Sequence, residues 1–362
     1  VLNEIRYARK HLAKWVKPQK VKTPLSHFPA KSFTLLEPYG VVLVLSPWNY
    51  PFQLALAPVV GAMAAGNCVV IKSSKNSAKT TAIITDIINQ TFDSRYAYCV
   101  SDEHSYDEIL NEKYDYIFFT GSERVGKIVM HAASEHVTPL SLELGGKSPC
   151  FVDRSANIEL AAKRIIWGKL LNAGQTCVAP DYVLVDSTVK QQLIEQMTKQ
   201  ISSMYGNPLE NDNYPKIISK DHFERLQGLI QREANKIGGR SDEKTYKIEP
   251  AIFTEATFES EIMKNEIFGP ILPILSYDNI DKAIRTVKER AKPLACYIFS
   301  QDETYTQKLL REVSFGGGCV NDTVMHLANH NLPFGGVGSS GMGNYHGEYS
   351  IHTFSHAKSV LK

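Results

Sequence analysis

The chain has 362 residues, 43% hydrophobic and 22% charged, with 40 Lys and Arg against 38 Asp and Glu for a formal net charge of +2. That length suggests two or three domains, and the composition is that of a soluble globular protein rather than a disordered, collagenous or coiled-coil chain. The balanced charge argues against nucleic acid as a general partner, and no apolar run of about 18 residues is present to cross a membrane. The six cysteines (Cys68, Cys99, Cys150, Cys177, Cys296, Cys319) are scattered without CxxC spacing. This is the usage of a reduced, cytoplasmic protein without a cysteine-based metal site. No signal peptide or lipidation signal is read at either end. The chain begins without Met inside a helical pattern, so a preceding native piece is expected.

In chain order, a basic amphipathic helix (Ile5, Leu12, Trp15 and Val16 against Arg6, Arg9, Lys10, Lys14 and Lys17) reads as a solvated face. A Pro- and Lys-rich connector, Lys17 to Pro24, leads to an extended stretch at Phe33–Leu36. Val41–Leu45, Asn67–Ile71, Ala97–Val100 and Tyr116–Phe119 read as strands, with helices over Phe52–Ala65 and Ala78–Phe92. A second alternation follows: strands Ser148–Val152, Tyr182–Val185, Ile271–Ser276 and Ala295–Ser300, and helices Ile158–Asn172, Val189–Met204, Ile280–Glu289 and Thr304–Val313. Strands alternating with helices predict parallel sheets, hence two α/β domains, with a small extra extended element from connector and tail.

Several residues have both a chemical and a plain reading. Cys68, Cys99, Cys150 and Cys296 lie in apolar runs and read as inert core thiols, and Cys319, after three glycines, is ambiguous. Cys177 sits in a loop, Asn172-Ala173-Gly174-Gln175-Thr176-Cys177, where a nucleophile or a structural thiol would both fit. Glu143, between leucines and before Gly145-Gly146, is either a carboxylate with a raised pKa suited to proton transfer or a glutamate at a strand end. Asn49 follows a strand at the edge where doubly wound sheets bind ligands, and is an oxyanion donor or a turn residue. Thr120-Gly121-Ser122 opens a helix after a strand, a phosphate-binding arrangement that is weak without GxGxxG, and Lys72 ends a strand within reach of ribose or phosphate.

Together the segments Ser46–Pro51, Lys72–Ser74, Phe119–Gly126, Leu142–Pro149, Gly174–Cys177, Asn265–Pro270 and Pro333–Gly343 resemble, in order and spacing, the motifs of the aldehyde dehydrogenase superfamily. Phe354-Ser355-His356 and the short tail look most like its dimeric class 3 branch, whose pattern begins well before Val1. The resemblance covers essentially the whole chain. It implies a modified Rossmann domain binding NAD or NADP (1–18 and 41–144), an α/β catalytic domain (145–334) and a bridging, oligomerisation element (19–40 and 345–362). It further implies oxidation of medium- or long-chain aliphatic or aromatic aldehydes to acids by a homodimer. Cys177 would attack the carbonyl, Asn49 would hold the oxyanion, and Glu143 would activate the water that hydrolyses the thioester. Trp48, Lys72, Gly121, Ser122, Val125, Gly145, Glu266 and Phe268 would surround the cofactor, with Tyr50 and Phe334 lining the aldehyde pocket. No metal, nucleic acid or membrane enters this scheme.

The chain departs from the family pattern at two places. Lys72-Ser73-Ser74-Lys75 replaces the usual Lys-Pro-Ser-Glu, and a lysine in place of the carboxylate that repels a 2′-phosphate predicts acceptance of NADP. Ser101-Asp102-Glu103 stands where a Gly-Gly pair is usual. Two rival readings are a coenzyme A-acylating enzyme, against which the intact Glu143 speaks, and a silent binding or structural member.

Overall fold

The structure is a computed structural model describing residues 1–101 and 103–362; Asp102, in the second departure, lies outside the described residues. The chain divides into two compact units, Val1–Glu143 with Asn329–Gly335 and Met342–Lys362, and Leu144–Ala328 with Gly336–Gly341.

The first unit is organised by parallel strands Val41–Ser46, Cys68–Ser73, Ala97–Cys99, Tyr116–Thr120 and Leu140–Glu143. Numbered in chain order they lie 3-2-1-4-5 across the sheet, and the two-residue strand Gly341–Met342 extends it beyond the fifth. Val42, Leu43 and Val44 are wholly buried, as is Phe118 on the neighbouring strand. Such continuous apolar runs are what a parallel strand covered on both faces requires. The strand order reverses between Val41–Ser46 and Tyr116–Thr120, and ligands of doubly wound sheets bind at the carboxyl ends beside that reversal. A separate three-stranded antiparallel sheet joins Gln19–Val21, Ser32–Pro38 and the tail strand Ser355–Leu361. The basic helix runs Leu2–Trp15, burying Ala8 and Trp15.

The second unit carries seven strands in the order Lys236–Gly238, Ala251–Phe253, Ile271–Tyr277, Tyr182–Asp186, Pro149–Val152, Ala295–Phe299 and Gly317–Val320. Every pair is parallel except the first. Its core draws Phe151, Tyr182, Leu184, Phe223, Leu226, Phe253, Ile271, Ile284 and Ile298 from the sheet and the covering helices.

Most predicted elements appear within one or two residues of their expected ends. The helix expected to run through Asn172 stops at Leu170, because Asn172 (φ 51°), Ala173 (φ 52°) and Gly174 (φ 76°) turn left-handed. Cys99, Cys150 and Cys296 are buried as expected, whereas Cys68 is only partly so, and none of the six is in a disulfide among the described residues.

Candidate active site

In the first unit the candidate residues gather along the carboxyl edge of the sheet. Strand registers pair Leu45 with Lys72 and with Phe119, and Thr120 with Glu143, so four strands deliver their last residues to one rim. From this rim Pro47-Trp48-Asn49-Tyr50 turns into the helix Pro51–Ala64, and Trp48, Asn49 and Tyr50 are all partly buried. Beside it Thr120-Gly121-Ser122 turns into the helix Glu123–Ser134. Ser122 is exposed and caps that helix, its Oγ accepting from the Val125 amide at 3.4 Å. The amides of such a start favour anionic oxygens. Lys72 is buried at 3% exposure and its Nζ donates to the Ser101 carbonyl at 2.8 Å, while Lys75 is exposed. A strand, Gly-Ser turn and helix at the point of strand reversal, with a lysine on the same rim, fit a dinucleotide.

Glu143 stands apart from the others on this rim. It is 2% exposed, and among the described residues neither carboxylate oxygen has a hydrogen-bond partner. Burial alone holds its carboxyl well above the usual range. Phe334 is buried in the same unit, paired through its backbone with Tyr345 and stacked on His346 at 5.5 Å.

In the second unit the candidate segments lie at the amino ends of parallel strands: Gly145 before Pro149–Val152, Cys177 before Tyr182–Asp186, and Glu266 and Phe268 before Ile271–Tyr277. The carboxyl-edge rule that finds Asn49 does not find these. Cys177 is partly buried on a loop fixed from several sides. The Gln175 amide donates to the Asn172 carbonyl (3.0 Å) and the Lys216 carbonyl (3.1 Å), and accepts from the Ile218 amide (3.0 Å). Thr176 Oγ1 donates to the Leu171 carbonyl, and the buried Tyr297 hydroxyl donates to the Val178 carbonyl at 2.5 Å.

The left-handed run before Cys177 also brings the loop against the Glu266–Phe268 segment. A Cβ on Gly174 would lie 2.2 Å from the Gly269 carbonyl oxygen. Gly174→Ala therefore combines a clash with an unfavourable φ, and should cost about 1–3 kcal/mol in strain alone; chemical denaturation of the variant measures it. Phe268 is itself left-handed (φ 49°), an outlier for an aromatic residue of the kind that collects at functional sites. The Asp181 carboxylate accepts from the Ile267 amide (2.9 Å) and Arg225 donates to the Ile267 carbonyl (2.7 Å), clamping the residue before it. Glu266, partly buried, presses on Gly145, where a Cβ would lie 2.4 Å from both carboxylate oxygens. Gly145 thus leaves room for this carboxylate. Burial and the nearby Asp181 raise Glu266 to about 8, opposed by the Gly146 amide, Lys147 and Lys169.

A family model described as aldehyde dehydrogenase family matches residues 1–360. The chain belongs to the aldehyde dehydrogenase family. It is 50% identical over 366 residues to 4,4'-diaponeurosporen-aldehyde dehydrogenase of Staphylococcus aureus, covering 99% of this chain and 79% of that protein. It is 42% identical to the dog (Canis lupus familiaris) protein named aldehyde dehydrogenase, dimeric NADP-preferring, covering 100% of this chain and 80% of that one. A substrate-bound structure of Staphylococcus aureus AldH superposes with a TM-score of 0.97 at 49% identity, covering 100% of this chain and 80% of that chain. The fold is the aldehyde dehydrogenase fold, and this aldehyde dehydrogenase is similar to class 3 members and oxidises aldehydes with NAD or NADP. The rival reading of a silent binding or structural member is set aside. Among the described residues no cluster of His, Cys, Asp and Glu is arranged to hold a metal ion, and no helix is long and apolar enough to cross a membrane.

Sequence reasoning overlooked Lys147, Lys169, Asp181 and Arg225, the charged residues around Glu266. Lys147 lies within the Leu142–Pro149 motif and Asp181 four residues after Cys177, but nothing local marks Lys169 or Arg225.

Proposed function

We propose that this aldehyde dehydrogenase is hydrolytic, releasing a free acid through a Cys177 thioester. The thiolate of Cys177 attacks the aldehyde carbon to form a thiohemiacetal. The Asn49 side-chain amide and the Cys177 backbone amide donate to the oxyanion. When bound, NAD(P) supplies the hydride acceptor that turns the thiohemiacetal into a thioester. Glu143 takes a proton from the water that attacks the thioester, and the carboxylic acid leaves as the Cys177 thiol is restored.

Trp48, Lys72, Gly121, Ser122 and Val125 bind the cofactor. Glu266 accepts the nicotinamide ribose hydroxyls, Phe268 packs beside the nicotinamide, and Gly145 gives close approach. Tyr50 and Phe334 line the pocket for medium- or long-chain aliphatic or aromatic aldehydes. The NAD(P)-binding domain is 1–18 with 41–144, the catalytic domain 145–334, and the bridging element 19–40 with 345–362. The enzyme works as a cytoplasmic homodimer; the name of the dog relative supports the dimer.

One observation carries the hydrolytic reading: Glu143, buried with neither oxygen hydrogen-bonded among the described residues. Product analysis tests it, with aldehyde and NAD(P) turned over with and without coenzyme A. Free acid at the same rate in both is expected, and acyl-coenzyme A as main product contradicts the reading.

Lys75 makes NADP acceptable, because its exposed ammonium meets a 2′-phosphate where a carboxylate would repel it. Lys75→Glu should lower the NADP-to-NAD ratio of kcat/KM by about tenfold, the scale of one charge-assisted hydrogen bond. Steady-state kinetics with each cofactor measures this, and an unchanged ratio removes Lys75 from cofactor choice.

A further inference from the structure

Three stretches far apart in sequence meet in the first unit: the helix Leu2–Trp15, the segment Asn329–Gly335 and the beginning of Met342–Lys362. Glu4, in the first turn of the helix, joins all three. It is buried, and its two oxygens have partners on different stretches. One accepts from the Gly347 amide at 3.0 Å, and the other lies 2.6 Å from His330 Nδ1. A carboxylate can only accept, so Nδ1 carries the proton in this bond. Tyr7, one turn further along the helix, stacks on the His330 ring at 5.2 Å, and its hydroxyl donates to Asn331 Oδ1 at 2.6 Å. Taking a carboxylate out of water is costly unless it is paired, so a buried glutamate tied at both oxygens calls for a reason.

What the tie holds is visible one residue away. His346 is left-handed (φ 85°) although it is not glycine, a conformation that persists only where the surroundings impose it and that collects at functional sites. Its own amide donates to Ser350 Oγ at 3.0 Å, and the next amide, that of Gly347, donates to Glu4. A Cβ on Gly347 would lie 2.2 Å from the His330 carbonyl oxygen, so the two segments touch backbone to backbone. The strained histidine lays its ring on Phe334, with the ring planes 20° apart. Phe334 and Tyr345 exchange backbone hydrogen bonds at 3.0 and 2.8 Å. Glu4 therefore fixes the residue four before Phe334 and the residue after the histidine that supports its ring. We propose that Glu4 is a positioning residue for aldehyde specificity, its carboxylate binding His330 and Gly347 together so that the Phe334–His346 ring stack keeps its place in the pocket wall. The proposal rests on the reading of Phe334 as a pocket residue. Glu4 touches no substrate and acts only through that stack.

Steady-state rates with propanal and with decanal, at saturating NAD(P), give a ratio of kcat/KM that does not depend on how much of each preparation is folded. Decanal extends to the Phe334 wall, whereas propanal depends on it least. Glu4→Ala should lower the decanal-to-propanal ratio by about tenfold, the scale of one charge-assisted hydrogen bond, through a raised KM for decanal. Glu4→Gln keeps a carbonyl oxygen for the Gly347 amide and should lower the ratio less; it serves if Glu4→Ala does not fold. Phe334→Ala should lower the same ratio, and the double variant should match Phe334→Ala alone. Glu4 variants that keep the wild-type ratio, or lose equally on both aldehydes, overturn the proposal when Phe334→Ala does lower it. So does a double variant showing the sum of both single losses, since a merely structural glutamate would add its effect. Phe334→Ala with the wild-type ratio removes the pocket reading, and the proposal with it, whatever the Glu4 variants do.

Discussion

Cys177→Ala should lose aldehyde oxidation by a factor of about 10³ or more while still binding NAD(P). The loss should be that large because the thiol forms and breaks a covalent bond to the substrate in every turnover, and no neighbouring group replaces it. Cys150 and Cys296 are buried, with thiol pKa values raised by burial, so neither offers a thiolate in its place. The loop itself should survive the change. Its shape is set by the left-handed run Asn172–Gly174, by the Gln175 amide and by the Tyr297 hydroxyl, none of which involves the Cys177 sulfur. Cofactor titration beside steady-state assay separates the two effects. Loss of both activity and binding would point to a collapsed site.

Glu143→Gln should act later in the cycle. General-base catalysis is worth about 10²–10⁴, so turnover should fall by that factor while the first equivalent of reduced cofactor still forms in a burst. The pH dependence follows from the environment. Burial raises the Glu143 carboxyl, and only its ionised form accepts a proton, so wild-type turnover should climb with pH through that raised value. In Glu143→Gln this limb should disappear. Stability should move the other way. A carboxyl whose folded pKa is raised contributes stability fully present below its unfolded pKa, and that contribution is lost as pH rises through the folded value. Removing it should therefore raise Tm near pH 8, by about 2–4 °C for each kcal/mol recovered, and the gain should vanish at low pH. A variant that loses activity and gains stability identifies a carboxylate placed for chemistry at the expense of the fold. Equal Tm values across the pH range would contradict the burial argument.

Much of the first unit is legible in the sequence because its strands are continuous apolar runs that end in turns. Val41–Ser46 and Tyr116–Thr120 are of this kind, and the residues after them, Pro47–Tyr50 and Gly121–Ser122, fall at the sheet's reversal. Leu140–Glu143 is harder to see, since it is only four residues long and leads into Leu144 and a glycine pair. Gly317–Val320 is hidden for a different reason. Glycine argues against a strand, yet a Cβ on Gly318 would lie 2.0 Å from the Cys296 carbonyl oxygen, so close strand approach requires it there. The short strands between Lys236 and Phe253 carry too few residues for a period to register.

The site divides in the same way. Cys177, Glu143, Asn49 and Glu266 stand in recognisable local contexts, and the motif resemblance assigns each a role. Lys169 lies near the end of the helix Ile158–Leu170, where a lysine ordinarily faces water, yet it is 1% exposed, and nothing in the local sequence marks that burial. The left-handed Ala173 is equally silent, because alanine carries no preference for that conformation and adopts it only under constraint from the packed loop.

The covalent route through Cys177 is tested most directly by the mass of the protein during turnover. Glu143→Gln, mixed with aldehyde and NAD(P) and quenched in acid within the burst, should carry one acyl group per chain. Peptide mapping should place it on Cys177, in step with one equivalent of reduced cofactor. A burst of reduced cofactor with no acyl adduct, or an adduct on another residue, would contradict the route.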